Sequence, residues 1–168
     1  MSIPLSVPDR VVLTTGTGNG KSELAAFDNA LHTAGIHNAN IIQVSSLIPP
    51  GAELAVEPDR DELEQQISIG GLHPIVVADV SAAATNYDSG QTLTAAIGAG
   101  ELDAGYGVNV EAHDIGTDTD AIREECREML VELAETRNAI LESSTCVVTQ
   151  NQVPESGATA AVAAAVYL

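Results

Sequence analysis

The chain has 168 residues, enough for one domain with a substantial core, and carries 24 Asp and Glu against 6 Lys and Arg, a net charge of −18. That balance argues against nucleic acid and anionic membranes as partners, and no apolar stretch of about eighteen uncharged residues reads as a membrane span. Self-repulsion of this size is tolerable where salt shrinks the Debye length toward ~3 Å at 1 M, which points to a salt-rich, halophilic cytoplasm. Met1-Ser2-Ile3-Pro4 begins no charged and apolar leader, in keeping with a cytoplasmic protein. Cys126 and Cys146 make no disulfide framework and read as buried apolar residues. His32, His37, His73 and His113 form no ligand spacing, so no metal is expected.

In chain order, Val11–Thr15 reads as a first strand. Gly16-Thr17-Gly18-Asn19-Gly20-Lys21-Ser22 follows as a Gly-rich turn, with Ser22 capping the next helix. This is a near match to a phosphate-binding P-loop, and Ile75-Val76-Val77-Ala78-Asp79 would supply a magnesium-binding Asp. The P-loop pattern wants glycine five positions before Gly20, where Thr15 stands, so a tight turn is the stronger reading. Leu24, Phe27, Leu31 and Ala34 recur at helical spacing and predict a helix over Glu23–Thr33 with that stripe on the core. Asp28 sits at the edge of the stripe, and Gly35 stops the helix.

Asn38–Val44 contains an apolar run that reads as a buried strand ending in Ser45-Ser46; Leu47-Ile48-Pro49-Pro50-Gly51 comes next. Proline fixes its own φ and drives the residue before it toward extended geometry. The Ser45–Ser46 bond therefore sits where a regular strand gives way to a stiff, irregular segment. Taken alone, the two serines are turn formers. Glu53–Val56 is a short strand, Glu57–Glu62 an acidic surface loop and Leu63–Ile67 a helical turn. Ile75–Val80 and Thr92–Ile97 are strands, with polar Ser81–Gln91 between them. Tyr106–His113 is another strand, and its alternation by itself makes Glu111 a solvent-facing residue. Thr119–Glu142 is an amphipathic helix with Ile122, Cys126, Met129, Leu130, Leu133, Ile140 and Leu141 as its apolar stripe. Thr145–Thr149 is a strand, and the alanine-rich Gly157–Leu168 is helical by propensity.

The run Leu24-Ala25-Ala26-Phe27-Asp28-Asn29-Ala30-Leu31, then Ala34-Gly35-Ile36, Asn38, Asn40 and Val44-Ser45-Ser46-Leu47-Ile48-Pro49-Pro50, resembles the pyruvoyl-dependent arginine decarboxylases. The resemblance extends from about Val11 to the C-terminus and is most specific over Asp28–Pro50. It implies that the chain cuts itself between Ser45 and Ser46 into residues 1–45 and 46–168, and that Ser46 becomes a covalent pyruvoyl cofactor. The residue pair suits that chemistry, because a serine hydroxyl is both the nucleophile and the oxygen later eliminated from its own β carbon. The implied reaction is decarboxylation of arginine to agmatine through a Schiff base, with polyamine synthesis and tRNA modification both open as uses of agmatine. By the same resemblance Asp28 meets the substrate guanidinium, as a carboxylate pairs with that planar cation. Leu24 and Leu31 cover the aliphatic stem, Asn40 bonds near the cofactor carbonyl, and Glu111 is the catalytic acid. Asn109 stands where the family usually has an apolar residue, and an inserted residue after Glu111 leaves Asp114 as its neighbouring alternative.

The resemblance also implies a single domain over residues 1–168, of α/β (α+β) class, built as a four-layer α-β-β-α sandwich with mostly antiparallel sheets. It makes Gly157–Leu168 a final strand, Ser81–Gln91 an insertion, and the assembly a homotrimer of cleaved protomers or larger. Three other readings stay open: a pyruvoyl decarboxylase of another amino acid, a P-loop nucleotide-binding protein, and a non-catalytic trimeric scaffold.

Overall fold

The structure, a computed structural model, describes residues 6–168; the leader reading of Met1–Pro4 lies outside them. The elements are β1 (Arg10–Gly20), α1 (Glu23–Thr33), β2 (Asn40–Gln43), β3 (Leu47–Ile48), β4 (Glu53–Val56) and α2 (Arg60–Gln66). They continue with β5 (Leu72–Ala83), β6 (Thr92–Leu102), β7 (Gly107–Ile115), α3 (Thr119–Thr136), β8 (Leu141–Gln152) and β9 (Ala158–Tyr167). One sheet has the order β2-β5-β9-β1-β4 and the other β3-β7-β6-β8. The second sheet is antiparallel throughout; the first is antiparallel at its centre and parallel at its β2 and β4 edges.

Side-chain alternation builds the layers. Val11 and Leu13 face Leu93, Ala95, Ile97 and Val147 of the other sheet. Val12, between them in sequence, packs with Ala26, Ala30 and Leu31 of α1. On the far side, Val108, Val110 and Ala112 pack under Ile122, Cys126 and Leu130 of α3. The order is α1, sheet, sheet, α3, a four-layer sandwich.

The Gly-rich segment is not a turn. Gly16–Gly20 continues β1 and pairs in register with Ala158–Val162 of β9. A Cβ on Gly16 would lie 2.1 Å from Ala30 O, and one on Gly18 2.3 Å from Ala26 O. The alternate glycines let α1 lie against the strand backbone, which removes the P-loop and the turn together. Ser22 does cap α1, its hydroxyl accepting from Ala25 N at 3.2 Å. The predicted stripe shifts, however: Ala26, Ala30 and Leu31 are buried, whereas Leu24 is 78% exposed.

Central β9 is buried along its whole length between β5 and β1, with apolar packing on both faces. Its alanines serve as thin spacers between α1 and the second sheet, so tertiary packing overrides helix propensity. α3 stops at Thr136, short of the expected Glu142. Asn138 has φ 52°, a left-handed residue that turns the chain, and Leu141 already belongs to β8. Residues 60–62, read as loop, form the first turn of α2, capped by Asp59 accepting from Asp61 N and Glu62 N.

Candidate active site

β2 is an edge strand rather than a buried one, with Ile42 and Val44 exposed. The chain leaves it at Val44, bends at Ser46 and enters β3 on the other sheet. The paired serines are thus the crossing between sheets. Leu47 N donates to Ser45 O at 3.0 Å, a γ-type closure around Ser46. Asn109 N donates to Ser46 O at 2.9 Å. Both carbonyls flanking the Ser46 backbone are therefore held by amide N–H groups. The donor on Ser45 O polarises the carbonyl carbon that a neighbouring hydroxyl would attack.

The register places more residues here. Leu47 pairs with Val108 and Ile48 with Gly107, so Ser46 falls opposite Asn109. Directly opposed residues share one face of a sheet, and diagonal neighbours lie about 7–8 Å apart. Gly107, Asn109 and Glu111 alternate onto the face turned toward the first sheet, where Ile48 is core. Ser46 and Glu111 are such diagonal neighbours across Asn109. Asn109 is fully buried and donates through Nδ2 to Tyr167 Oη at 2.7 Å. Its Oδ1 is buried without a partner among the described residues. Burial pushes the Tyr167 phenol above its ordinary range, against the bond from Asn109.

Asp114 lies on the opposite face of β7, toward α3. Its carboxyl is held below the usual range, first by the Thr117 hydroxyl and then by the Ile115 amide. It is a stabilised anion on the face away from Ser46, whereas Glu111 is exposed on the face that Ser46 shares.

The remaining predicted residues are not at Ser46 in one chain. Asn40 opens β2, and its side chain donates to Gly70 O at 2.8 Å, tying the turn before β5. Asp28 is exposed on α1, which packs over β1 and β9 on the outer face of the first sheet. β1 stands three strands from β2, about 14 Å at ~4.8 Å per strand, with the sheet itself between. Leu31 is buried under α1 and cannot cover a ligand stem there, while Leu24 is free to. A cleft of about 280 Å³ beside Ile48, Pro49, Tyr106 and Gly107 includes neither Ser46 nor Glu111. The sequence reading missed the Leu47 and Asn109 amide donors. No signal in the sequence marks them, since backbone donors carry no residue signature.

Fold and site define a class: a two-sheet α+β domain with paired serines at the crossing between sheets and a carboxylate on the adjoining strand. Residues 10–168 match the profile of the pyruvoyl-dependent arginine decarboxylase (PvlArgDC) family, and the chain belongs to that family. A protein of Methanopyrus kandleri named pyruvoyl-dependent arginine decarboxylase is 31% identical over 97% of this chain and 99% of its own length. One of Pyrococcus horikoshii with the same name is 34% identical over 64% of this chain and 69% of its own. One of Thermococcus sibiricus, likewise named, is 37% identical over 56% of this chain, and the match spans 54% of that protein. The chain is thus a decarboxylase of the lyase class whose covalent cofactor is a pyruvoyl group.

Proposed function

We propose that the chain cuts itself between Ser45 and Ser46 and then decarboxylates arginine to agmatine. The observation that carries this reading is the pair of amide donors on the Ser45 and Ser46 carbonyls, with Ser46 on the same face as Glu111. In processing, Ser46 Oγ attacks the Ser45 carbonyl carbon and the C–N bond breaks. The hydroxyl proton goes to the Ser46 nitrogen, leaving an ester. Loss of the Ser46 α proton then breaks the Cβ–O bond and frees Ser45 as a carboxylate. Water replaces the nitrogen, which departs as ammonia, and position 46 is left as a ketone. Leu47 N stabilises the oxygen charge in the first step.

The residues fit the cofactor: the Asn109 amide donates to the carbonyl of residue 46, which remains an amide carbonyl beside the ketone. When formed, the pyruvoyl group supplies an electron sink for the pair left behind by CO2. Asn109 N holds the amide carbonyl of residue 46, onto which part of that charge spreads. Glu111 donates a proton at the substrate α carbon.

Asp28 binds the guanidinium from a second copy, because the first sheet separates it from Ser46 in its own chain. Exposed Leu24 on α1 and exposed Ile42, Val44 and Leu47 around the serines supply apolar surface for that contact. A head-to-tail contact of this kind closes into a ring, and the reading adopts a homotrimer. Incubation with arginine, lysine, ornithine and aspartate, with CO2 and amine products measured, tests the substrate. Agmatine from arginine as the fastest reaction supports the reading; a faster reaction with any of the others overturns it.

A further inference from the structure

Cys126 and Cys146 are twenty positions apart in the chain, on α3 and β8, and the fold brings them together. Gly98 of β6 is the reason. It is the register partner of Cys146, and a Cβ on it would stand 3.0 Å from Cys126 Cβ. The bare backbone at Gly98 leaves one space that both cysteines share. Each thiol feels the other: the neighbouring Cys146, together with burial, pushes Cys126 up, while the neighbouring Cys126, helped by Arg123, draws Cys146 down. Arg123, one turn before Cys126, also donates to the Cys146 carbonyl. Cys126 is fully buried and Cys146 half-buried. Both line a cleft of about 230 Å³ with Arg123, Arg127 and Thr145, so a small oxidant reaches the half-buried Cys146 from solvent.

We infer that Cys126 and Cys146 form a reversible oxidation site, a dithiol that closes to a disulfide joining α3 to β8 when it meets a peroxide. Cys146, whose thiolate Arg123 favours, is the attacking sulfur. It attacks a peroxide oxygen, the O–O bond breaks, and Cys146 becomes a sulfenic acid as water leaves. The Cys126 sulfur then attacks Cys146, the S–O bond breaks, and a second water departs with the Cys126 proton. Two thiols and one hydrogen peroxide thus give one disulfide and two waters.

The test is titration of reduced, folded enzyme with hydrogen peroxide. The polypeptide carrying residues 46–168 should lose two hydrogens in intact mass. Thiols reactive to maleimide after unfolding should fall from two to none, and dithiothreitol should restore both. A non-reducing digest should yield an α3 peptide linked to a β8 peptide from the same chain. The cross-link should raise Tm by roughly 5–10 °C, as closing a loop of this length does. In Cys126→Ser, the Cys146 sulfenic acid should persist and react with dimedone. Two alkylatable thiols after peroxide, a disulfide between chains, or sulfenic acid trapped first at Cys126 would each overturn the inference. The mass and peptide measurements use the wild-type protein, so a variant that misfolds leaves the test intact.

Discussion

Gly18→Ala puts the packing of α1 on β1 under direct strain. The new Cβ would lie 2.3 Å from Ala26 O, 2.4 Å from Ala30 N and 2.7 Å from Asn29 C, all backbone atoms of the helix. Ordinary contact begins near 3.4 Å, so the helix must retreat by about 1 Å. No side-chain rotation relieves the clash, which places it near the top of the ~1–3 kcal/mol range for overpacking. Alanine regains up to ~1 kcal/mol of chain entropy relative to glycine in a strand. The net loss is about 2 kcal/mol, or roughly 4–8 °C in Tm for a chain of this size. Thermal melting by circular dichroism in concentrated KCl reads it directly. Arginine turnover should fall as well, because α1 carries Asp28. A Gly18→Ala protein that melts with the wild type would refute the close packing. A rise in Tm on adding ATP and magnesium to the wild type would revive the nucleotide reading.

Glu111→Gln should still yield pyruvoyl enzyme, since serine attack does not use this acid, while turnover per pyruvoyl group falls by about 10²–10⁴; normal turnover would remove Glu111 from the mechanism. Asp28→Asn and Ser46→Ala, each impaired alone, should regain activity when co-expressed. With random mixing in a ring, about one site in four pairs an intact Ser46 with an intact Asp28 from the next copy. No recovery in mixed assemblies confirmed by mass spectrometry would mean that one chain builds the site by itself. Raising KCl from 0.1 M to 2 M should raise Tm, because the −18 charge repels itself over ~10 Å at the lower salt and under ~3 Å at the higher; a flat or falling Tm would exclude that account.

Much of the fold follows from periodicity. Helix α1, the start of α3 and strands β5 to β7 stand where apolar spacing puts them, because each has one face on a core. The errors come from partners distant in sequence. Nothing local distinguishes Gly16–Gly20 in a strand from the same glycines in a turn; what decides it is α1 lying on them. Ala158–Tyr167 is the final strand that the resemblance implied, though nothing local marks it, since its alanines acquire their role only between two layers. At the site, the proposed roles of Ser45, Ser46 and Glu111 rest on side chains that a sequence displays, because the chemistry requires particular side chains. The amides of Leu47 and Asn109 are not, because any residue supplies them and only the β3–β7 register aims the second one. Asp28 is legible as a residue but not as a position, since a sequence does not say which copy faces which.

The central claim is that the bond between Ser45 and Ser46 is the one the chain breaks, and intact mass tests it most directly. Purified active protein should give two polypeptides, residues 1–45 ending in a free carboxylate and residues 46–168 beginning with a pyruvoyl group. Ser46→Ala, which removes both the nucleophile and the oxygen to be eliminated, should give one uncut chain. A preparation that decarboxylates arginine as a single uncut chain, or that is cut at any other bond, would contradict the account.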